Sequence, residues 1–475
     1  MNSYNRVEQT LQDVLSLIKP NNDDWAVRFQ IIQEVGDAVQ TLESLRGATM
    51  EPIGSFVSNL FTRCGDLDLS VEILTRSHIS NTWRKQKEDF LTEVLNALRS
   101  KGTWRKLRLI SNAKVPFLRL EHNLQRISCD ICINNLNGQM KSKLLFWITE
   151  IDERFRDVVL LVKEWAKAHE INESDSGTLN SYCLTLLVLF HFQTCVPAIL
   201  PPTKNLYPGD LAHDLSGVRT DAEKQIEETC AVNIHRFQRS RRRNGSSLSA
   251  LLISFFAKFS NIDARASKQG INPYTGKWED IERNMAWLPR TFALYVEDPF
   301  EQPGNTARTV TSRHLTKMAR AFRATRNKLQ SNDHNQATLF ANLVREELLQ
   351  HVISSSVRNR NKPRNYNRSG PQVNKAVPSP SHQTGNTRKN GRSNNAKTGQ
   401  PNQNQASQCS NNANTGQPNQ NQEQQHSNKA NTERSNNAKT GQPNQNQAQQ
   451  RSNNANTVQP NQNQAQQIWR PKQRT

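Results

Sequence analysis

The sequence predicts an α+β chain of two lobes, a small mixed sheet followed by a larger, mainly helical part, with a long disordered tail behind them. Three observations carry this. Short alternating apolar runs cluster between residues 67 and 134. Helical periodicity dominates from Phe146 to about His351, and from about Val357 onward almost no aliphatic residues remain to bury. The divisions implied are 1–40 for N-terminal helices packing on the central domain, 41–140 for the sheet domain, 141–355 for the helical central domain and 356–475 for the tail.

The elements follow in order. Val7, Leu11, Val14, Leu15 and Ile18 recur at helical spacing. A second helix starts in "DDWAVRFQIIQEVGDAVQTL", its acidic residues lying where the helix dipole favours them. "DLDLSVEIL" alternates like a strand, "KQKEDFLTEVLNALRS" reads as a helix, and "LRLISN", "VPFLRLEH" and "RISCDICIN" read as three further strands. Two lobes built this way leave a cleft between them.

Charge divides at the same boundary as composition. Residues 356–475 hold 17 Lys+Arg and 2 Asp+Glu, a net of +15, whereas the first 355 hold 45 against 40. A flexible cationic segment attracts polyanions by counterion release, so nucleic acid is the expected partner. The tail repeats with a period of 17: "RSNNAKTGQPNQNQAQQ" at 434–450 is followed directly by "RSNNANTVQPNQNQAQQ" at 451–467. It offers no apolar face for stacking, which excludes a solenoid and marks an Asn/Gln-rich low-complexity segment suited to self-association or tethering.

Seven cysteines without framework spacing point to a reducing compartment, and no apolar run is long enough to span a bilayer. The expectation is a protein of nucleus and cytoplasm, with no membrane partner.

Chemistry concentrates in "GSFVSNLFTRCGDLDLSVEI", residues 54–73. In a strand, residues two apart share a face, so Asp66 and Asp68 present their carboxylates together. Two such charges repel unless a cation sits between them, and Mg²⁺ prefers hard oxygen ligands. Asp130, in a second apolar strand, supplies a third carboxylate for a two-metal site, with Mn²⁺ as an alternative ion. Gly54 and Ser55, ahead of a short helix, suit a phosphate seat: glycine for close backbone approach, serine for its hydroxyl. Cys129 and Cys132 form a C-x-x-C, but residues three apart in a strand face opposite ways, which argues against zinc.

The spacing G-S-x(10)-D-x-D with a later strand aspartate resembles the active-site pattern of the nucleotidyltransferase superfamily of DNA polymerase beta type. "VVLLVKEWAKAHEIN", "GTLNSYCLTLLVLFHF", "GSSLSALLISFFAKFS", "INPYTGKWEDI" and "YVEDPFEQPGNTARTV" further resemble noncanonical poly(A) polymerases and terminal uridylyltransferases, over roughly Arg6 to Leu348. The Asn/Gln-rich tail is similar to that of the plant small-RNA uridylyltransferases.

The resemblance implies that Asp66 and Asp68 hold the metal ions and that Asp130 completes the site and acts on the RNA 3′-hydroxyl. It implies sugar contacts from Asn135 and Ser142, and base contacts from Asp298 and Glu301. Lys163 and Lys167, four apart on one helical face, would reach a triphosphate; Ser181 would support the phosphates and Tyr182 would stack on the base. The histidine that some uridylyltransferases use against ATP falls at Gly304, so UTP is expected from overall likeness, with ATP as the alternative nucleotide and a non-catalytic RNA-binding scaffold as a second alternative.

The run His235 to Gly245, with Arg236, Arg239, Arg241, Arg242 and Arg243, reads as a basic loop that guides RNA or serves as a nuclear import signal. An Argonaute-type or RNA-decay partner, engaged through the tail, is the expected route of substrate delivery.

Overall fold

The computed structural model describes residues 3–73, 83–288, 292–331, 335–348 and 350, so the tail expected from residue 356 lies outside the described residues. The chain opens with α1 (Ser3–Ile18) and α2 (Asn22–Gln40), the second started by a capping box between Asn21 and Asp24. Strand β1 (Thr49–Ile53) runs into a single turn, α3 (Gly54–Val57), and β2 (Leu67–Glu72) follows. Helix α4 (Arg84–Ser100), strands β3 (Trp104–Ile110), β4 (Phe117–His122) and β5 (Ser128–Ile133), and helix α5 (Leu136–Thr149) complete the first lobe.

Sheet order is β1-β2-β5-β4-β3, with β2 and β5 parallel and the other neighbours antiparallel. Leu67, Leu69 and Val71 of β2, Leu118 and Leu120 of β4, and Cys129, Ile131 and Ile133 of β5 are buried on one face. The period of two therefore turns Asp68, Arg119 and Asp130 to the opposite face.

The second lobe is helical: α6 (Glu153–Ala168), α7 (Ser181–Gln193), α8 (Leu211–Asp214), α9 (Arg219–Ser240), α10 (Leu248–Phe259), α11 (Ile262–Ala266), α12 (Ser312–Gln330) and α13 (Gln336–Leu343). Helix α7 is buried almost all round, as its continuous apolar sequence requires. Its neighbours meet in an aromatic core where Trp165 packs on Phe256 and Phe322 at 4.7 and 4.8 Å between ring centroids. No described helix is long and apolar enough to cross a membrane.

Several expectations need correction. Helix α1 lies against α6, α10 and α13, whereas α2 lies against α4 and β1 on the sheet side. Its Trp25 and Phe29 pack on Phe56, which draws it away from the helical lobe. The run from His235 is no loop as far as Ser240 but the end of α9, and helicity resumes at Leu136 rather than Phe146 because Asn135 caps α5 through Gly138 N.

A hairpin, β6 (Gln269–Asn272) with β7 (Lys277–Asp280), interrupts the helical lobe. Its turn is closed by Asn272 Oδ1, which accepts from Tyr274 N and Thr275 N, and by Gly276 at φ +68°. Polar residues and a proline obscure so short a strand pair in sequence.

A buried ion pair fastens the segment after α13 to the helical core. Arg345 donates through Nε and Nη2 to Glu164 at 2.9 and 3.1 Å, and Glu164 is only 1% exposed. Removing one partner strands a buried charge, so Arg345→Ala should lower unfolding free energy by about 3–5 kcal/mol. Urea unfolding checks this, and Glu164→Gln in the Arg345→Ala background should recover part of the loss.

Candidate active site

Strand register builds the site. In the parallel pairing of β2 with β5, Asp68 stands directly opposite Asp130, and in the antiparallel pairing of β4 with β5, Arg119 stands opposite Asp130 on its other side. Arg119 forks onto Asp130 through Nε and Nη2 at 2.9 and 2.8 Å. Asp66 belongs to the turn one residue before β2, not to the strand as expected. That turn is propped by Arg28 of α2, fully buried, which donates to Arg63 O at 3.0 Å and Gly65 O at 2.7 Å.

The electrostatics are those of crowded carboxylates. Burial, with Asp130 and Asp66 adding to it, pushes Asp68 up to about 7, and Lys163 offsets part of this. Asp66 is exposed to solvent, yet the protein around it raises its carboxyl through desolvation; Lys167 opposes the rise and Asp130 reinforces it. All three donors are oxygens, which fits a hard divalent cation. As placed, no three acidic, His or Cys side chains among the described residues enclose an ion, and Asp130 takes its positive partner from Arg119.

Gly54 is required by sterics. It has φ +69°, and a Cβ there would meet Asp68 Oδ2 at 2.1 Å. Its N–H does not face an anion as expected, because it donates to Ser142 Oγ at 2.7 Å. Ser142 is buried and donates in turn to Gly138 O at 2.6 Å, so its hydroxyl braces α3 against α5 rather than opening toward a sugar. Ser55 is half-buried, and its hydroxyl makes no hydrogen bond among the described residues. Asn135 uses its side-chain oxygen to cap α5, while its N–H donates to Ser70 Oγ and Glu72 Oε1.

From the helical lobe, α6 brings two lysines with different fates. Lys163 is buried, donates to Leu60 O at 2.8 Å, and is lowered to about 7 by desolvation and by Lys167 despite Asp68 nearby. It does not reach outward as expected; Lys167, half-buried, is the more open of the pair. Ser181 forms the first turn of α7, held at 3.1 Å by Asn172 Nδ2. Tyr182 donates its hydroxyl to Asp298 Oδ1 at 3.0 Å, and burial followed by the Asp298 charge raises its phenol far above the ordinary value.

Asp298 and Glu301 form a cluster that sequence reasoning gave no partners. Lys141 of α5 donates to Asp298 Oδ2 at 2.5 Å, lies 3.1 Å from Glu301 Oε2, and stands 5.5 Å from the centre of the Tyr182 ring. Lys114 and Asn137 also donate to Glu301. Burial raises Glu301, but Lys141, Lys114 and Asn137 outweigh it and hold the carboxyl at about 2. Gly304 accepts Asp298 N through its carbonyl, and a Cβ there would come within 2.8 Å of Glu301 O. A side chain at that position therefore requires the turn to move.

Arg28, Arg119 and Lys141 were the residues missed. Arg119 had a usable signal, since a strand arginine two residues after Phe117 shares the face opposite to Leu118 and Leu120. Arg236, Arg239, Arg242 and Arg243 are exposed and Arg241 is half-buried, 3.8 Å from Asp152. At about 1.5 Å per residue, Arg239 is roughly 30 Å along α9 from Arg219, whose guanidinium holds Glu72 at the end of β2. That basic group is thus remote from the three aspartates.

Comparison with known proteins places this geometry. Residues 7–150 match the family model of the central palm domain of mitochondrial-like poly(A) RNA polymerase. Protein HESO1 of Arabidopsis thaliana is 54% identical over 327 residues, 68% of this chain and 64% of that protein. Poly(A) RNA polymerase GLD2-A of Xenopus laevis is 30% identical over 271 residues, 57% of this chain and 50% of the other. The chain thus spans less than two thirds of the length of either relative.

Among solved structures, Cid1 in complex with its short product ApU shares the fold at TM-score 0.56 and 22% identity, covering 71% of this chain and 98% of that one. The structure of mtPAP in complex with UTP does so at TM-score 0.56 and 21% identity, covering 71% and 72%.

A folded-state carboxyl raised from 3.8 to about 7 favours the fold below the unfolded value, and that contribution is lost as pH rises through about 7. Without divalent ions, Asp68→Asn should therefore melt a few degrees above the parent protein at pH 8 and gain nothing at pH 4, a tenfold change in proton affinity being worth about 1.4 kcal/mol. Excess Mg²⁺ should raise the parent melting temperature and leave the variant unmoved. A metal-free variant that melts at or below the parent at pH 8 would remove the crowded-carboxylate account.

Proposed function

We propose that the chain is a member of the terminal uridylyltransferase and noncanonical poly(A) polymerase family of nucleotidyltransferases, to which its palm-domain match and its 54% identical relative point, and that it adds uridylates from UTP to RNA 3′ ends without a template. The observation that carries this reading is the pairing of Asp68 with Asp130 on one sheet face, with Asp66 at the turn ahead of them. In the proposed reaction the RNA 3′-oxygen attacks the α-phosphate of UTP in line, and pyrophosphate leaves.

Asp130, oriented by the Arg119 fork, accepts the hydrogen bond of the 3′-hydroxyl and draws its proton. Asp66 and Asp68 would hold Mg²⁺, which supplies charge stabilisation at the α-phosphate when bound. Lys167, Ser55 and Ser181 steady the triphosphate, Lys163 sets the field behind Asp68, and the Tyr182 ring stacks on the base beside Lys141 and Asp298. Positioning and electrostatics are the protein's main contributions.

Uridine as the added base is supported by the sequence likeness to the plant group and by the shared fold with a protein described as the Cid1 poly(U) polymerase. ATP is the second reading, favoured by the GLD2 relatives and by the missing side chain at Gly304. Delivery by an Argonaute-type or RNA-decay partner, with work in nucleus and cytoplasm, belongs to the same proposal.

A tailing assay with purified protein, Mg²⁺ and labelled single-stranded RNA, offering UTP against equal ATP, decides between these. Uridine tails are expected, and Asp66→Ala should abolish them with the fold kept; adenosine tails would overturn the base assignment, and full activity in Asp66→Ala the site. Loss of base stacking in Tyr182→Ala should raise the KM for nucleotide by about 5- to 150-fold, the range that corresponds to 1–3 kcal/mol. An unchanged nucleotide KM would remove Tyr182 from the base site.

A further inference from the structure

Helix α12 carries a charge pattern that the site just described does not use. Its sequence, "SRHLTKMARAFRATRNKLQ", holds six Lys or Arg and no Asp or Glu. One side is core, formed by Leu315, Met318, Ala319, Phe322, Thr325 and Leu329. On the other side some cations are answered: Lys317 pairs with Glu170 at 3.1 Å, Arg323 with Asp263 at 3.2 Å, and Arg326 donates to Gln330. Arg313, Arg320 and Lys328 are exposed, and no ion pair is found for them among the described residues. Arg308, just ahead of the helix, is exposed in the same way.

The start of this helix is linked to the catalytic carboxylates by a short chain of contacts. Thr311 N donates to Gly177 O at 3.2 Å and Thr309 Oγ1 to Thr178 O at 3.1 Å. The same turn carries Asp175, whose carboxylate is 3.6 Å from Arg119 Nη1, and Arg119 is the residue forked onto Asp130. A strand whose 3′ end is at Asp130 can therefore leave past residues 174–178 and meet Arg308 and Arg313 first. From Arg313 to Lys328 the helix then extends for about 22 Å.

We propose that the exposed cations of α12 form a track for the single-stranded RNA immediately upstream of the 3′ end. This rests on the reading that RNA is the acceptor. The occupant is chosen by charge: the chain's own tail carries a net +15 and is repelled by α12, whereas a phosphate backbone is complementary to it and continuous with the site. The contacts are sequence-blind, since no exposed aromatic side chain interleaves with the cations on this helix.

The test uses the whole 475-residue chain with Arg313→Gln, Arg320→Gln and Lys328→Gln combined, and a set at and just beyond the far end of α9, Arg236→Gln, Arg239→Gln and Arg243→Gln, as control. Binding of single-stranded RNA is measured against salt, and RNA tailing gives KM and kcat for each protein. The α12 set should weaken RNA binding and make the slope of log affinity against log salt shallower by about 2, since each lost phosphate contact on a single strand contributes about 0.7. KM for RNA should rise, with kcat at saturating RNA and KM for UTP kept.

Should the triple variant misfold by circular dichroism, Arg320→Gln alone should carry about a third of the slope change. A parent protein that tails RNA, with an α12 variant of unchanged slope and RNA KM, would overturn the track and leave the enzyme standing. A parent that neither binds nor tails RNA would overturn the functional reading itself, and RNA as the occupant with it. A slope change confined to the α9 set would move the track to that surface.

Discussion

Two negative charges held side by side by strand register are the constraint around which the first lobe is arranged. Parallel pairing of β2 and β5 leaves Asp68 and Asp130 no choice but adjacency, and their repulsion has to be met by what surrounds them. Arg119 answers Asp130 from the next strand, Lys163 answers Asp68 from α6, and Lys167 acts on Asp66. The backbone complies as well, since Gly54 yields the volume a side chain would take from Asp68 and Ser142 fixes the glycine in place. Arg28 performs the analogous task under the turn before β2, where its buried guanidinium holds two carbonyls that would otherwise lack partners.

The same polarity extends along β2 and joins the lobes. Ser70 and Glu72 continue the face of Asp68, and Arg219 of α9 ties Glu72 to Gln139 and Glu223 at 3.0, 2.6 and 2.7 Å. Arg119 with Asp175 forms a second link and Lys141 with Asp298 a third. These links differ in strength. Asp175 is 90% exposed, so its link is screened and worth roughly 0–1 kcal/mol, whereas Glu72 and Asp298 are buried and lose far more when unpaired. The lobes are thus joined firmly at Glu72 and Asp298 and loosely at the turn beside Asp130, which is where the proposed RNA would pass.

Sequence made the sheet lobe legible because its strands alternate cleanly and its aspartates violate that alternation in an informative way. Asp68 and Asp130 stood out as acids in apolar strands, and their common face followed from the period of two. What could not be read was long-range partnership. Nothing local in "AVRFQ" says that Arg28 turns inward to serve a loop some 35 residues later, nor that Lys141 meets Asp298 more than 150 residues on. Composition likewise concealed β6 and β7, whose residues pair with each other and, through Ile271, with the segment leading to Asp298. For Gly54, Ser142 and Asn135, residue type pointed to ligand contact while the fold employs them to hold its own backbone.

The placement of α1 against α13 bears on how the chain is made. Asp13 accepts from Gln336 at 3.0 Å, and the apolar side of α1, Val7, Leu11, Val14, Leu15 and Ile18, is buried among α6, α10 and α13. Helix α1 therefore leaves the ribosome long before the element that completes its site. At about 5–20 residues per second that interval is on the order of 20–70 s, during which the amphipathic helix can find α6 and then α10 but not the α13 that closes its site. Translation speed and chaperone occupancy on the nascent chain thus become determinants of yield for this fold, independently of its final stability.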